Sequence, residues 1–145
     1  MERRAKAARR EGRDGGSPSS PKLVIIADDD ETMRIVLQRA LQHCGHLALP
    51  VDDGGEIWPI LERERVAALI LDLNMPGVNG WEVLRQLGDP LSSRAKNFPV
   101  IVVSGQSDPE TREFALRLGA DAFFAKPVDL DELVAVIPPP RASPP

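Results

Sequence analysis

The chain has 145 residues, 42% of them hydrophobic and 28% charged, with a net charge of −4. That length suffices for one domain with its own core. No apolar stretch approaches the roughly 18–20 residues of a membrane span. The N-terminus lacks the apolar segment of a secretory signal, and a single cysteine excludes an internal disulfide framework. Together these features point to the cytoplasm.

Charge is spread unevenly. Arg3, Arg4, Lys6, Arg9, Arg10 and Arg13 outweigh Glu2, Glu11 and Asp14, giving the first twenty residues about +3 and the rest about −7. The arm has no aromatic residue and no apolar stripe, so it is expected to be a solvated leader rather than a nucleic-acid-binding element. Gly15-Gly16-Ser17-Pro18-Ser19-Ser20-Pro21 reads as a linker. Pro138-Pro139-Pro140-Arg141-Ala142-Ser143-Pro144-Pro145 cannot form helix or central strand. The expected organisation is a disordered basic arm and linker over 1–21, one domain over 22–137, and a disordered proline-rich tail over 138–145.

Inside the domain, strand and helix patterns alternate. Leu23–Ala27 is an apolar run that reads as a buried strand. Asp30 then offers an N-cap oxygen. Met33, Val36, Leu37, Ala40, Leu41 and Cys44 form one helical stripe, ended by Gly45. On that stripe Cys44 is expected to be buried, whereas His43 and His46 flank the helix end and are expected at the surface or as partners of its dipole. His46–Val51 is a short second strand. Asp52 and Asp53 lead a turn into a weaker helix over 54–64, where Pro59 is tolerable only near the first turn. Val66–Leu71 is the third strand, followed by a loop over Asn74–Asn79 and a helix from Gly80 to Leu87. Pro99–Ser104 is the fourth strand. Asp108-Pro109-Glu110 opens a helix as N-cap, first-turn proline and early acid; it runs to Leu118 and Gly119. Ala122–Ala125 is the fifth strand. Leu130, Leu133, Val134 and Ile137 stripe a fifth helix, which Pro138 limits to about two turns. Trp58 and Trp81, near helix starts, are expected to pack.

Five βα units with strands apolar on both faces imply a parallel sheet covered on both sides, wound right-handedly. Such folds bind ligands beyond the carboxyl ends of the strands, at a topological switch point. Asp28, Asp29, Asp72 and Ser104 all stand at such ends, and Lys126 follows the last strand. Carboxylates gathered in one small volume raise one another's pKa unless a cation joins them, and a hard divalent ion such as Mg²⁺ suits oxygen ligands. The set contains no histidine or cysteine, which argues against zinc and thiol chemistry. The chain has neither a GxxxxGK[ST] loop nor a GxGxxG fingerprint. Mg²⁺, an ammonium and a hydroxyl together suit a phosphoryl group, and with no other nucleophile at hand its acceptor would be a carboxylate.

Four stretches carry a family resemblance: Ile26-Ala27-Asp28-Asp29-Asp30-Glu31; Leu71-Asp72-Leu73-Asn74-Met75-Pro76 with Asn79-Gly80; Val103-Ser104-Gly105; and Phe124-Ala125-Lys126-Pro127. In this order, each after a strand, they resemble the two-component response-regulator receiver domain, over essentially all of 22–137. The resemblance implies a doubly wound (βα)5 flavodoxin-like sandwich whose five parallel strands run in the order 2-1-3-4-5. It implies Asp72 as phosphoacceptor, with a sensor histidine kinase or histidine phosphotransfer protein as donor, docking near the first helix. Asp29 and Asp72 would ligate Mg²⁺ directly, Asp28 through water, and Asn74 through its backbone carbonyl. Ser104 and Phe123 would be the switch pair, Lys126 would hold a phosphoryl oxygen, and Pro127 matches a cis-proline position. Asn74 and Gln106, each two residues past a reactive group, would tune the lifetime of the acyl phosphate.

The resulting reading is a phosphoacceptor signalling domain rather than an enzyme in the ordinary sense, with self-catalysed phosphotransfer and autodephosphorylation. Its output face, helix 4–strand 5–helix 5, would address a downstream protein partner or an effector domain since removed, as a monomer or a phosphorylation-dependent dimer. A phosphatase with an aspartyl nucleophile is disfavoured because Asp72-Leu73-Asn74 lacks a second acid. An unphosphorylated interaction module is disfavoured because every site residue is present. Phe123 in place of tyrosine can repack but offers no hydroxyl. Gly105, where alanine is more usual, is expected to loosen the loop beside Ser104.

Overall fold

Five apolar runs form the strands of a parallel sheet in the computed structural model, which describes residues 21–75, 77, 79–94 and 96–140. The basic arm and linker (1–20), Pro76, Val78, Ala95 and the end of the tail (141–145) lie outside the described residues. The strands are β1 (Leu23–Ala27), β2 (Leu47–Val51), β3 (Val66–Asp72), β4 (Val100–Ser104) and β5 (Ala122–Ala125). They are hydrogen-bonded in the order β2-β1-β3-β4-β5, every neighbouring pair parallel. Pro50 has no amide hydrogen to donate, and it falls on the edge strand β2, where the loss is tolerated.

Helices fill the connections: α1 (Glu31–His43), α2 (Ile57–Arg63), α3 (Gly80–Gly88), α4 (Pro109–Leu118) and α5 (Leu130–Ala135). Side chains alternate across the sheet, so each strand feeds two cores. Val24, Ile26, Ala68, Ile70, Ile101 and Val103 meet Leu37 and Leu41 of α1 and Leu133 of α5. Ile25, Ala27, Leu69, Leu71, Val100 and Val102 meet Ile57 and Ile60 of α2, Val83, Leu84 and Leu87 of α3, and Ala115 of α4. Each fully buried Leu, Ile or Val stabilises the fold by about 1.5–3 kcal/mol.

Local chemistry sets the helix ends. Asp30 caps α1 by accepting the N–H groups of Thr32 at 3.0 Å and Met33 at 3.3 Å. Asp108 caps α4 through the Thr111 N–H at 3.1 Å and hydroxyl at 2.7 Å, which hold its carboxyl below the usual range. The expected second helix is divided: Asp53 caps a 3-10 turn over Gly54–Glu56, and α2 follows with Pro59 in its first turn. Helix α5 is as short as the sequence implies, with Ile137 buried just beyond it. Pro138–Pro140 adopt no regular structure, and Pro140 packs beside Gly45.

Two expectations at the end of α1 are reversed. Cys44 is exposed and His46 is buried. Cys44 is the C-cap and no longer follows the helical stripe; Gly45, at φ +87°, turns the chain back. The His46 N–H then bonds to the Leu41 carbonyl at 2.9 Å, tucking the imidazole beneath the helix end, where burial lowers its pKa.

Candidate functional site

The strand order reverses between β1 and β3, and the acidic residues gather there. Ala27 pairs with Leu71, which brings Asp28, one residue past β1, beside Asp72, the last residue of β3. Carboxylate oxygens of Asp28, Asp29 and Asp72 all lie within 4.8 Å of one another. Asp28 and Asp72 are buried; Asp29 is exposed. Asp30 stays with its helix cap, as the sequence implies.

Each carboxylate is held by its own loop. The Asp30 N–H donates to Asp28 Oδ1 at 2.9 Å, and the Asn74 N–H to Asp72 Oδ1 at 3.0 Å. Lys126 reaches in from the end of β5, its Nζ 3.1 Å from Asp28 Oδ2 and 3.4 Å from Asp72 Oδ2. The Lys126–Pro127 peptide is cis, at the position the sequence indicates. Burial pushes the Asp72 carboxyl above its usual range; the Asn74 N–H opposes this, the Asp28 charge adds to it, and Lys126 opposes it. Burial alone would lower Lys126, but the hydrogen bond and charge of Asp28, joined by Asp72, outweigh it and hold the ammonium above its ordinary value.

Ser104 is fully buried at the end of β4, next to Val103, the register partner of Asp72. Its Oγ accepts the Gln106 N–H at 3.0 Å, and its carbonyl accepts the Lys126 N–H at 2.9 Å. Phe123 pairs with Val102 and is half-buried against the α2–α3–α4 core. The Asn74 and Gln106 side chains are exposed at the mouth. The structure thus brings Asp28, Asp29, Asp72 and Lys126 together, with Ser104 at the adjoining strand end.

Sequence reading missed Arg34. It stands one turn after the cap of α1, and its Nη1 donates to the Asp28 carbonyl at 2.7 Å, bracing the β1–α1 loop. Its spacing from Asp30, whose carbonyl accepts the Arg34 N–H at 3.0 Å, was the available signal. Also missed was the stack of Trp81, at the start of α3, on Phe114 of α4, with ring centroids 5.2 Å apart. Trp58 packs under the Arg94 guanidinium, 4.1 Å from its ring centroid.

The donor set consists of hard oxygens, three carboxylates brought within one coordination distance, so the residues fit a small divalent cation.

A doubly wound sheet with an acidic triad, a hydroxyl and a lysine at its switch point defines a phosphoryl-receiving signalling fold. The family model for the response regulator receiver domain matches residues 24–138, and the chain belongs to that family of two-component signalling domains. It is 40% identical over 105 residues to the sensory/regulatory protein RpfC of Xanthomonas campestris, covering 72% of this chain and 14% of that protein. Against the solved receiver domain of the Francisella response regulator 1452 the identity is 26% and the TM-score 0.72, covering 80% of this chain and 92% of that one. A Burkholderia pseudomallei response regulator, solved with a phosphorylated aspartic acid, a calcium ion and citrate, is 23% identical with a TM-score of 0.68, covering 81% and 66%. The chain spans only 14–48% of the length of the curated relatives it matches. Among the described residues no helix is long and apolar enough to cross a membrane.

Proposed function

We propose that Asp72 accepts a phosphoryl group from a phosphohistidine of a sensor kinase or a histidine phosphotransfer protein, and that the modification switches the α4–β5–α5 face. The observation that carries this reading is the meeting of Asp28, Asp29 and Asp72 within 4.8 Å, with Lys126 Nζ bonded to two of them. The Burkholderia regulator with a phosphorylated aspartic acid and a calcium ion supports it by analogy of fold.

In this reading an Asp72 oxygen attacks the phosphorus, the nitrogen–phosphorus bond breaks with its electron pair going to nitrogen, and the imidazole, already protonated on its other ring nitrogen, leaves as a neutral ring. Asp29, Asp72 and the Asn74 carbonyl would hold Mg²⁺ directly and Asp28 through water, and the ion would supply positive charge toward the phosphoryl oxygens. Lys126 supplies a second positive charge, already held by the two carboxylates and free to shift to a phosphoryl oxygen. The phosphoaspartate adds charge and strong acceptors. Ser104, whose hydroxyl accepts the Gln106 N–H, turns to donate to it. The space beside Ser104 then changes, and Phe123, half-buried on the neighbouring strand, moves inward. That is a two-state element biased by the modification. Asn74 and Gln106 stand at the mouth and set how readily water reaches the acyl phosphate. Output passes to a downstream protein or effector domain, from a cytoplasmic domain spanning about 22–137.

Incubation with acetyl phosphate and Mg²⁺, followed by intact mass, tests the proposal. One added phosphate, abolished by Asp72→Asn and by chelation of the metal, is expected. An unchanged mass, or a phosphate that survives in Asp72→Asn, would overturn it.

A further inference from the structure

We infer that Arg34 is a positioning residue for the metal-binding carboxylates, fixing the peptide between Asp28 and Asp29 so that the Asp29 carboxylate stays beside Asp72. This rests on the reading of Asp72 and its neighbours given above.

Arg34 stands on α1 one turn past the cap, where its N–H bonds to the Asp30 carbonyl at 3.0 Å. Its side chain is half-buried. It runs back toward the start of the helix, the direction helical side chains take, and Nη1 donates to the Asp28 carbonyl at 2.7 Å. That length is at the short end for an N–H···O bond, as a charged donor gives. A direct bond thus joins the helix to the backbone that carries the acids.

A peptide is planar, so the direction of the Asp28 carbonyl also sets where the Asp29 nitrogen and Cα lie. The other bonds of this loop act on other groups. The Asp28 N–H is held by the Val51 carbonyl at 3.2 Å, and Asp28 Oδ1 accepts the Asp30 N–H at 2.9 Å. The Asp30 carboxylate is committed to the Thr32 and Met33 N–H groups. The bond on the plane between Asp28 and Asp29 comes from Arg34. Asp29 is exposed, so its carboxylate is placed by the backbone that carries it and not by packing, and yet it comes within 4.8 Å of those of Asp28 and Asp72. Without the guanidinium that plane can rotate, through ψ of Asp28 and φ of Asp29, and the Asp29 carboxylate swings away from the other two. Apparent metal affinity then falls in proportion to the population of the competent shape.

The guanidinium also carries a charge, and the two roles act on a dication with opposite signs. As a charge alone Arg34 repels Mg²⁺, and its removal tightens binding. As a positioning residue its removal weakens binding.

Arg34→Met keeps an aliphatic stem and removes both donor and charge. Arg34→Gln, also uncharged and two bonds shorter, serves if the methionine variant does not fold, which thermal unfolding in chelator checks. Mg²⁺ is titrated against tryptophan fluorescence, since Trp81 follows Gly80, which lies against the Asp72 carbonyl. Phosphate gain from acetyl phosphate is followed by intact mass over the same Mg²⁺ range. By both measures the Mg²⁺ midpoint is expected to rise about three- to tenfold, as a competent fraction of a third to a tenth gives. The rate at saturating Mg²⁺ should stay within about twofold of wild type, because bound metal draws the loop back to the competent shape. A general structural lesion would not separate midpoint from plateau in this way. An unchanged midpoint overturns the inference, as does a lowered one, which would make Arg34 a repelling charge only. A plateau that falls as far as the midpoint rises overturns it too. A wild type that neither responds to Mg²⁺ nor gains phosphate overturns instead the reading of the site itself.

Discussion

Lys126 Nζ lies 3.1 Å from Asp28 Oδ2, although β5 and β1 are separated in the sheet by β3 and β4. One ammonium therefore ties the far end of the chain to the first strand, across the pocket that Asp72 shares. Lys126→Met removes that counter-charge and leaves two buried carboxylates facing each other. Losing one partner of a largely buried, charged hydrogen bond costs about 1–3 kcal/mol. Urea unfolding at neutral pH in chelator is expected to show a loss of that size. The Lys126 pKa is raised, so its stabilisation is fully present below the ordinary lysine range and disappears as pH rises through the folded value. The difference between wild type and Lys126→Met should accordingly close in strong alkali. Identical unfolding curves at neutral pH would show that Lys126 contributes nothing to the resting fold.

Asp72 has the opposite consequence for stability. Its folded pKa is raised by burial, with Asp28 adding to the effect. The fold thus favours the protonated form: the advantage is complete below the usual aspartate range and is lost as pH rises through the folded value. At neutral pH and without metal, ionised Asp72 weighs against the fold. Asp72→Asn is therefore expected to be more stable than wild type in chelator at pH 7, with the gap shrinking as pH falls below the raised value. Mg²⁺ should reverse the order. A ligand at ten times its Kd adds about 1.4 kcal/mol to wild type, whereas the variant has lost one carboxylate ligand. Thermal unfolding across pH, with and without Mg²⁺, checks both signs.

The architecture was legible because the strands are apolar runs, three of which lead into a polar residue that packing does not explain. Asp28, Asp72 and Ser104 mark carboxyl ends, and the βα alternation alone brings those ends together. Helix caps were legible for the same local reason, as Asp30 and Asp108 show. The failures lie where a local period stops applying. Cys44 continues the stripe of α1 in sequence, but it sits at the cap, where the helix no longer faces the sheet. His46 follows a glycine that reverses the chain, so no helical count assigns its side. Trp81–Phe114, Arg94–Trp58 and Asp53 over Gly77 join elements distant in sequence. Such pairs depend on how helices sit on the sheet, and a single sequence carries no local signal for them.

Two glycines give opposite expectations. Gly105, beside Ser104, has an ordinary backbone, and a Cβ there would meet nothing within 4 Å. Gly105→Ala should stabilise by about 0.4–1 kcal/mol, because alanine narrows the unfolded ensemble without strain. Gly88, at the end of α3, lies against the Leu118 carbonyl at the end of α4, and a Cβ would collide with that backbone. Gly88→Ala should destabilise by about 1–3 kcal/mol, the usual range for overpacking. Chemical denaturation of both variants checks the pair. A destabilising Gly105→Ala would mean that this loop needs glycine for a conformation other than the one described.

Asn74 and Gln106 stand in equivalent relations to the two reactive groups. The N–H of Asn74 donates to Asp72 Oδ1 and that of Gln106 to Ser104 Oγ, both at 3.0 Å, while both residues are exposed. The backbone of each holds a site oxygen, and in the proposed reading the side chain of each governs how water reaches the acyl phosphate. Substituting the side chain leaves the backbone bond in place, so lifetime and stability should separate. Asn74→Leu and Gln106→Leu are expected to change the decay rate of the acyl phosphate by up to about tenfold, a barrier change of about 1.4 kcal/mol. Unfolding temperature should stay within about 2–3 °C, as a change of about 0.5 kcal/mol at an exposed position gives. The decay is followed by intact mass after removal of the phosphodonor. A changed lifetime with an equally changed unfolding temperature would assign the effect to the loop backbone. An unchanged lifetime in both variants would show that water reaches the phosphoryl group by another route.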